Sequence, residues 1–255
     1  MPEYKGNAIY DYIMANNLDY FFCVENEWIL LYGDEKSMPR LVVYASKVSD
    51  INSAFSIAEK NGGNKSYGIA KYLKLPFIIV RFMVKSVYVR VWQQDATWQV
   101  MTYDQLRDLF EYYGVVRPGT PKKKVNQYVS SPYHEWQRDN MGSITVTDFD
   151  LVKYRNARVE EIIELKRSHE NIKTWLPYRR DYPNFALLIN AIVLSGKHIP
   201  FTLFYNLLED GPKGKRIDDI SEIKVFDFEV PEKPINCHLI KYGLRGYYAL
   251  ADLLD

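Results

Sequence analysis

The chain has 255 residues, of which 47% are hydrophobic and 25% charged, a composition that excludes a disordered or fibrous protein. Its 33 basic and 32 acidic residues give a formal net charge of +1, which excludes a protein coated with positive charge for binding nucleic acid. The two cysteines, Cys23 and Cys237, lie in opposite halves of the chain, which excludes a disulfide framework and a clustered zinc site.

The first half of the chain is predicted to form a mixed sheet with flanking helices. Apolar residues on one face predict a helix over 49–60, which Gly62 and Gly63 are expected to end. The other predicted helices cover residues 7–16, 67–75 and 103–113, and the predicted strands cover residues 20–24, 28–32, 41–44, 77–83 and 87–92.

A linker is predicted over 115–131, where prolines, a glycine and the run Lys122-Lys123-Lys124 interrupt the apolar pattern. The three lysines either contact a phosphate backbone or are simply a solvated part of the linker. The chain is therefore divided into an N-terminal α/β domain over 1–114, the linker, and a second domain over 132–255.

The second half repeats this order of elements loosely. Residues 185–194 are apolar almost all round, which predicts a well-buried helix. A further helix is predicted over 132–140, and strands are predicted over 144–154, 159–166, 199–206 and 222–230.

Charged residues cluster on two successive predicted strands of this half. Asp148 and Asp150 are two residues apart, as are Glu164 and Lys166, so each pair is predicted to share one face of its strand. A hairpin would bring the three carboxylates and the ammonium together, and burying such a group is costly unless a cation neutralises it. Mg²⁺ prefers such oxygen ligands, so the pattern predicts metal-assisted hydrolysis of a phosphodiester. The alternative is a charged hairpin that faces solvent.

Asp150, a gap of 13 residues and then Glu164-Leu165-Lys166 resemble the motif of the PD-(D/E)XK nuclease superfamily, which includes restriction endonucleases, junction resolvases and repair nucleases. The core of that superfamily is a helix, a β-hairpin or meander that carries the motif, a helix and a further strand. Residues 132–206 follow this order. The resemblance implies an α/β fold in which a mixed β-sheet flanked by helices forms a restriction-endonuclease-like core in the second half.

The resemblance also implies roles for particular residues. Asp150 and Glu164 would bind Mg²⁺, with Mn²⁺ as a substitute, and Lys166 would be the catalytic lysine. The family often adds an acidic residue on the first helix, and Glu135 is the matching residue here. The proline that the family has before the first aspartate is absent, so Asp148 remains an alternative to Asp150 as metal ligand.

Cationic and aromatic side chains follow the motif closely and are candidates for contacting DNA. Positive charge can grip the phosphate backbone, and an aromatic ring can stack on an unpaired base. The candidates for backbone contact are Arg167, Lys173, Arg179 and Arg180, and those for stacking are Trp175 and Tyr178. In the alternative interpretation Trp175 covers the core and the arginines pair with Asp181.

These patterns together predict a Mg²⁺-dependent endonuclease that acts on DNA. The N-terminal half would recognise substrate, form dimers or be a degenerate nuclease-like module, and the resemblance implies a homodimer. The alternative is a non-catalytic module that binds nucleic acid or a partner and keeps the nuclease fold. An RNA nuclease would use the same metal chemistry. A cytoplasmic protein without a membrane span is expected, because neither a signal peptide nor an apolar run of about 18 residues is visible.

Overall fold

The computed structural model describes residues 7–23, 26–84, 86–93, 97–116, 133, 136–137, 141–142, 144–212 and 216–254. These residues contain five α-helices and twelve strands, and the strands form two mixed sheets of six strands each. The predicted α/β class is therefore confirmed. No helix in this part of the chain is long and apolar enough to cross a membrane.

Sheet I is built mainly from the first half of the chain. Its strands, in spatial order, are β6 (Gln99–Thr102), β5 (Tyr88–Gln93), β4 (Phe77–Phe82), β3 (Pro39–Lys47), β2 (Glu27–Gly33) and β7 (Thr145–Asp148). Strands β3 and β4 are parallel, and the other neighbours are antiparallel. The short edge strand β6 was not predicted from the sequence.

Sheet II carries Glu164 and Lys166 on one of its strands. Its strands, in spatial order, are β1 (Tyr20–Phe21), β8 (Leu151–Arg155), β9 (Arg158–Ser168), β10 (Phe201–Asp210), β11 (Arg216–Phe228) and β12 (Tyr242–Tyr248). Strands β8 and β9 form an antiparallel hairpin, whereas β9 and β10 are parallel and are connected through a helix. Parallel neighbours need such a crossover connection.

The helices cover both faces of the two sheets. Helices α2 (Ile57–Tyr72) and α4 (Tyr182–Ser195) lie between the sheets and share one apolar core with both. Helix α3 (Tyr103–Tyr112) packs on the outer face of sheet I, and α1 (Ala8–Ala15) and α5 (Leu250–Leu254) pack on the outer face of sheet II. The apolar sequence of α4 is explained by this central position, as predicted.

The two halves of the chain exchange strands. Strand β1 from the first half pairs with β8 in sheet II, and β7 from the second half pairs with β2 in sheet I. Val115 and Val116, at the start of the predicted linker, are buried in the outer core of sheet I. Residues 117–131, which include the three lysines, lie outside the described part of the chain, and the domain division stays a prediction.

One helix replaces the two that were predicted over 49–60 and 67–75. Ser56 caps α2 and forms a capping box with Glu59, so the helix begins at Ile57 and runs through Gly62 to Tyr72. The apolar residues before it pack against a buried arginine instead: Arg81 donates to the carbonyl oxygen of Ile51, and its guanidinium lies 4.3 Å from the centre of the Phe55 ring. The prediction that glycines end a helix here was wrong.

Gly62 lets α2 approach sheet I closely, so substitution by alanine should destabilise the protein. In a helix interior alanine is normally better than glycine by about 1 kcal/mol. At position 62, however, the added methyl carbon would lie 2.7 Å from the Tyr44 hydroxyl oxygen and 2.9 Å from Cε2 of the ring. We expect Gly62→Ala to lower the free energy of unfolding by about 1–3 kcal/mol, measured by urea denaturation.

Gly63 provides the matched control for this prediction. A methyl carbon there would meet Cδ1 of Ile79 at 3.4 Å, an ordinary contact with the end of a flexible side chain. Gly63→Ala is therefore expected to keep or raise stability, as helix propensity dictates. Equal stabilisation by both substitutions would contradict the close approach of α2 to Tyr44.

Candidate active site

Glu164 and Lys166 lie side by side on β9, as the alternation of strand residues predicts. Glu164 is 2% exposed, whereas the Lys166 side chain is 27% exposed and reaches the surface. Their charged atoms are in contact, with Lys166 Nζ 2.8 Å from Glu164 Oε1. The motif pair is therefore an ion pair with one buried and one accessible member.

Asp148 and Asp150 do not share a strand, so the prediction of a single strand over 144–154 was wrong. Asp148 ends β7 in sheet I, and Asp150 lies just before β8 in sheet II. The chain crosses between the sheets at Phe149, which is buried and donates its N–H to the carbonyl oxygen of Ile29 at 3.0 Å. Asp148 is exposed and Asp150 is half-buried. Asp148 and Asp150 therefore both lie near Glu164 because the chain passes between the sheets at this point, and not because residues alternate along one strand.

Asp150 is held in place by two hydrogen bonds. The N–H of Leu165 donates to Asp150 Oδ2 at 2.8 Å, which ties the carboxylate to the middle of the Glu-Leu-Lys motif. The hydroxyl of Tyr10, on α1, donates to the carbonyl oxygen of Asp150 at 2.9 Å. Tyr10 itself stacks on Phe22 with ring centres 4.2 Å apart. Sequence reasoning missed Tyr10, since a contact across 140 residues leaves no local signal.

Burial and neighbouring negative charge raise the pKa of two carboxylates of the site, Asp150 and Glu164. Burial raises the pKa of Asp150 well above its ordinary value, and the negative charges of Glu164 and Asp148 raise it further. Burial also raises the pKa of Glu164, although the Lys166 ammonium opposes this. For Lys166, burial lowers the pKa, but Glu164, Asp150 and other carboxylates outweigh it, so its pKa rises above the ordinary value. Lys166 is therefore an ammonium at neutral pH.

One oxygen of Glu164 is a candidate ligand for a cation. Glu164 Oε2 is buried and has no hydrogen-bond partner among the described residues, which is costly for a carboxylate. A hard cation between Glu164 and Asp150 would satisfy it, and Mg²⁺ commonly takes one or two carboxylates and fills its shell with water and phosphate oxygens. No group of three or more His, Cys, Asp or Glu side chains forms a ready-made metal centre in the described residues.

Asp181 is a site residue that sequence reasoning considered only as a partner for arginines. It precedes α4, and its Oδ2 lies 4.0 Å from Lys166 Nζ. It adds to the charges that raise the pKa of Lys166. An acidic residue directly before a helix with an early proline is a recognisable helix-start signal, but it does not reveal which strand the helix faces.

The residues predicted to contact DNA do not form one surface. Arg167 lies on the opposite face of β9 from Lys166 and pairs with Asp218 at 2.6 Å. Lys173 pairs with Glu222 at 2.9 Å. Arg179 and Arg180 are exposed next to Asp181, and 79% of the Arg180 side chain is accessible to solvent.

Trp175 is not available to a nucleic-acid base, so that prediction was wrong. It is 1% exposed and stacks on Tyr205 with ring centres 4.0 Å apart, which agrees with the alternative that it covers the core. Glu135, the predicted acidic residue of the first helix, lies outside the described residues, as does most of the helix predicted over 132–140.

A groove of about 370 Å³ opens between α2 and the segment that contains α1 and β1. Its wall includes the rings of Phe21 and Phe22, with Glu27 and Lys65 among the polar lining residues. Phe21 is opposite Val152 in sheet II, and Val152 is two residues along the chain from Asp150.

The site thus combines two partly or fully buried carboxylates, an unsatisfied carboxylate oxygen and an accessible ammonium. Such an arrangement can bind a hard cation beside a positive group that faces an anionic substrate. Comparison of the chain with protein-family models and with curated proteins found no match.

Proposed function

We propose that this protein is a metal-dependent endonuclease that hydrolyses phosphodiester bonds in DNA and resembles the PD-(D/E)XK nucleases. The observation that carries the proposal is the buried, unpartnered Oε2 of Glu164, next to the Asp150 carboxylate and the Lys166 ammonium. A buried carboxylate oxygen without a hydrogen bond is costly, and a cation held there together with Asp150 would offset that cost.

The order of elements around the site supports this proposal. The hairpin β8–β9 carries the motif, α4 follows, and β10 returns parallel to β9. This is the order of hairpin, helix and further strand that the resemblance implies. The helix that should precede the hairpin falls mostly outside the described residues.

The burial and charge of the side chains support different roles for the carboxylates and for the lysine. Asp150 and Glu164 would hold the ion, with Asp148 beside them. Bound Mg²⁺ supplies polarisation of the phosphodiester and a bound water of lowered pKa. The neighbouring carboxylates outweigh the effect of burial on the pKa of Lys166, so the amine stays charged at neutral pH. It would therefore serve as a donor that orients the attacking water and offsets charge on phosphorus, not as a general base.

Positive charge beside the site favours a polyanionic substrate. Arg179 and Arg180 are exposed on the turn that leads into α4, next to Asp181 and therefore near Lys166. Phosphate contacts of this kind position a nucleic acid without reading its sequence. A homodimer remains a prediction from the resemblance.

Cleavage of supercoiled plasmid in Mg²⁺ or Mn²⁺, with EDTA as the metal-free comparison, tests the proposal. We expect nicked or linear product with either ion and none in EDTA. Glu160→Gln is a matched control, because Glu160 is an exposed carboxylate on the same strand, and it should cut like the parent.

The alternative, a non-catalytic module with a nuclease-like fold, predicts a different result. Such a module would bind DNA or a partner without cutting it, and neither ion would raise its melting temperature. The absence of cleavage together with the absence of a thermal shift in millimolar Mn²⁺ would reject the nuclease. Cleavage of RNA but not DNA would keep the metal site and change the substrate.

A further inference from the structure

Lys166 Nζ lies within 4.0 Å of two carboxylates on different elements. Its Nζ atom is 2.8 Å from Glu164 Oε1 on β9 and 4.0 Å from Asp181 Oδ2 at the start of α4. The first distance is a direct ion pair, whereas the second is at the limit of one. The amine therefore has an engaged partner and a nearby second acceptor.

The engaged partner is also the residue proposed to hold the metal. An ammonium on Glu164 Oε1 neutralises the carboxylate and repels any cation that approaches its other oxygen. Binding of a divalent ion by both oxygens of Glu164 therefore requires the amine to move away. A lysine stem has four rotatable bonds and allows such a movement with little backbone change.

Asp181 has the capacity to receive the amine. Although it occupies the N-cap position of α4, its side chain makes no capping hydrogen bond. Its other oxygen, Oδ1, lies 4.0 Å from Nε of the exposed Arg180. With 21% of the side chain exposed, it is not locked in a buried network.

We infer that Asp181 is a positioning residue, which draws the Lys166 ammonium off Glu164 when a divalent cation binds there. This inference rests on the proposed metal site. Asp181 touches neither the ion nor the substrate, and its whole effect passes through Lys166. Without it, the amine stays on Glu164 and competes with the metal.

Binding of Mn²⁺ alone to the full chain, measured by titration calorimetry or electron paramagnetic resonance without DNA, tests this role. We expect Asp181→Asn to weaken Mn²⁺ binding about ten-fold, the size typical of residues that act through a ligand. Asp181→Glu should restore most of the affinity. Lys166→Met should tighten Mn²⁺ binding, because the competing ammonium is gone.

The double variant Lys166→Met with Asp181→Asn distinguishes positioning from a general charge effect. If Asp181 acts through Lys166, the double variant binds Mn²⁺ as Lys166→Met does. If Asp181→Asn weakens binding equally in both backgrounds, Asp181 acts on the ion directly and the inference is overturned. Glu160→Gln serves as the control, because it removes a carboxylate from β9, the strand of Glu164 and Lys166, at a position farther along the strand from Lys166.

Failure of the proposed function would look different. In that case the parent protein would neither bind Mn²⁺ nor cut plasmid, and both proposals would be rejected together. Parent binding with no change in Asp181→Asn would reject only the inference. Should Asp181→Asn unfold, Asp181→Ser keeps an oxygen at the helix start and removes the charge, so it gives the same comparison.

Discussion

Replacement of Lys166 by alanine is expected to lower the rate of plasmid cleavage by about 100-fold or more, the usual effect of losing one preorganised electrostatic group. The amine is an accessible positive charge beside Glu164 and Asp150, and these carboxylates outweigh the effect of burial on its pKa, so it stays charged at neutral pH. Initial rates of supercoiled-plasmid loss at saturating Mg²⁺ measure the effect. A Lys166→Ala protein that cuts as fast as the parent would refute the assignment.

This substitution has a structural cost that the assay must take into account. Without Lys166, the buried Glu164 loses the ion pair at 2.8 Å, and we expect stability to fall by about 1–3 kcal/mol. Thermal unfolding therefore sets an assay temperature at which the variant is folded. Lys241→Ala removes an exposed, ion-paired lysine next to β12, the edge strand of sheet II three strands away from β9, and should cut normally.

Replacement of Asp150 by asparagine is expected to abolish cleavage while stabilising the metal-free protein near neutral pH. The change removes a proposed metal ligand, so we expect a loss of at least about 100-fold in rate. It also removes a carboxylate whose ionisation is opposed by burial, Glu164 and Asp148, and the asparagine carbonyl still accepts the hydrogen bond from Leu165. A gain of about 1 kcal/mol is typical of relieving such a functional strain.

The gain in stability should depend on pH in a definite direction. The pKa of Asp150 is higher in the folded chain than in the unfolded one, so the folded state binds more protons between those two values. The stability of the parent therefore falls as pH rises through this window, and the asparagine variant lacks that fall. Urea denaturation of both proteins at pH 8 should show a higher free energy of unfolding for Asp150→Asn. Little of this difference should remain at about pH 4, where a carboxyl in the unfolded chain begins to protonate.

Asp148→Asn is the companion variant, since it decides which aspartate is the main ligand. Asp148 is exposed, so its replacement should change stability little. Normal cleavage by Asp150→Asn and loss of cleavage by Asp148→Asn would reverse the proposed ligand roles. Destabilisation by Asp150→Asn at pH 8 would contradict the description of Asp150 as a strained carboxylate.

Local patterns predicted a good part of this structure. Glu164 and Lys166 share a face of β9 because alternation within one strand depends only on neighbouring residues. The burial of α4 follows in the same way from its own apolar sequence. The capping box of Ser56 and Glu59 was also a local signal for the true start of α2, but the apolar residues just before it suggested an earlier helix.

The errors arise where distant segments meet. Strand β7 pairs with β2 in sheet I, whereas β8 belongs to sheet II. Asp148 and Asp150 are therefore associated with different sheets although they are two residues apart. Position 62 of α2 takes a glycine because Tyr44 occupies the space that a side chain would need, and Trp175 lies in the core stacked on Tyr205. None of these partners is visible within a window of local sequence.

The sequence by itself determined that an acidic and basic pair would project from one strand of an α/β protein, since strand geometry repeats every two residues. Only the tertiary structure decided that Asp150 is tied to Leu165, that Tyr10 supports it and that Asp181 approaches Lys166. These contacts join elements from three parts of the chain. They depend on how the sheets and helices pack, which is a property of the whole core and not of any one segment.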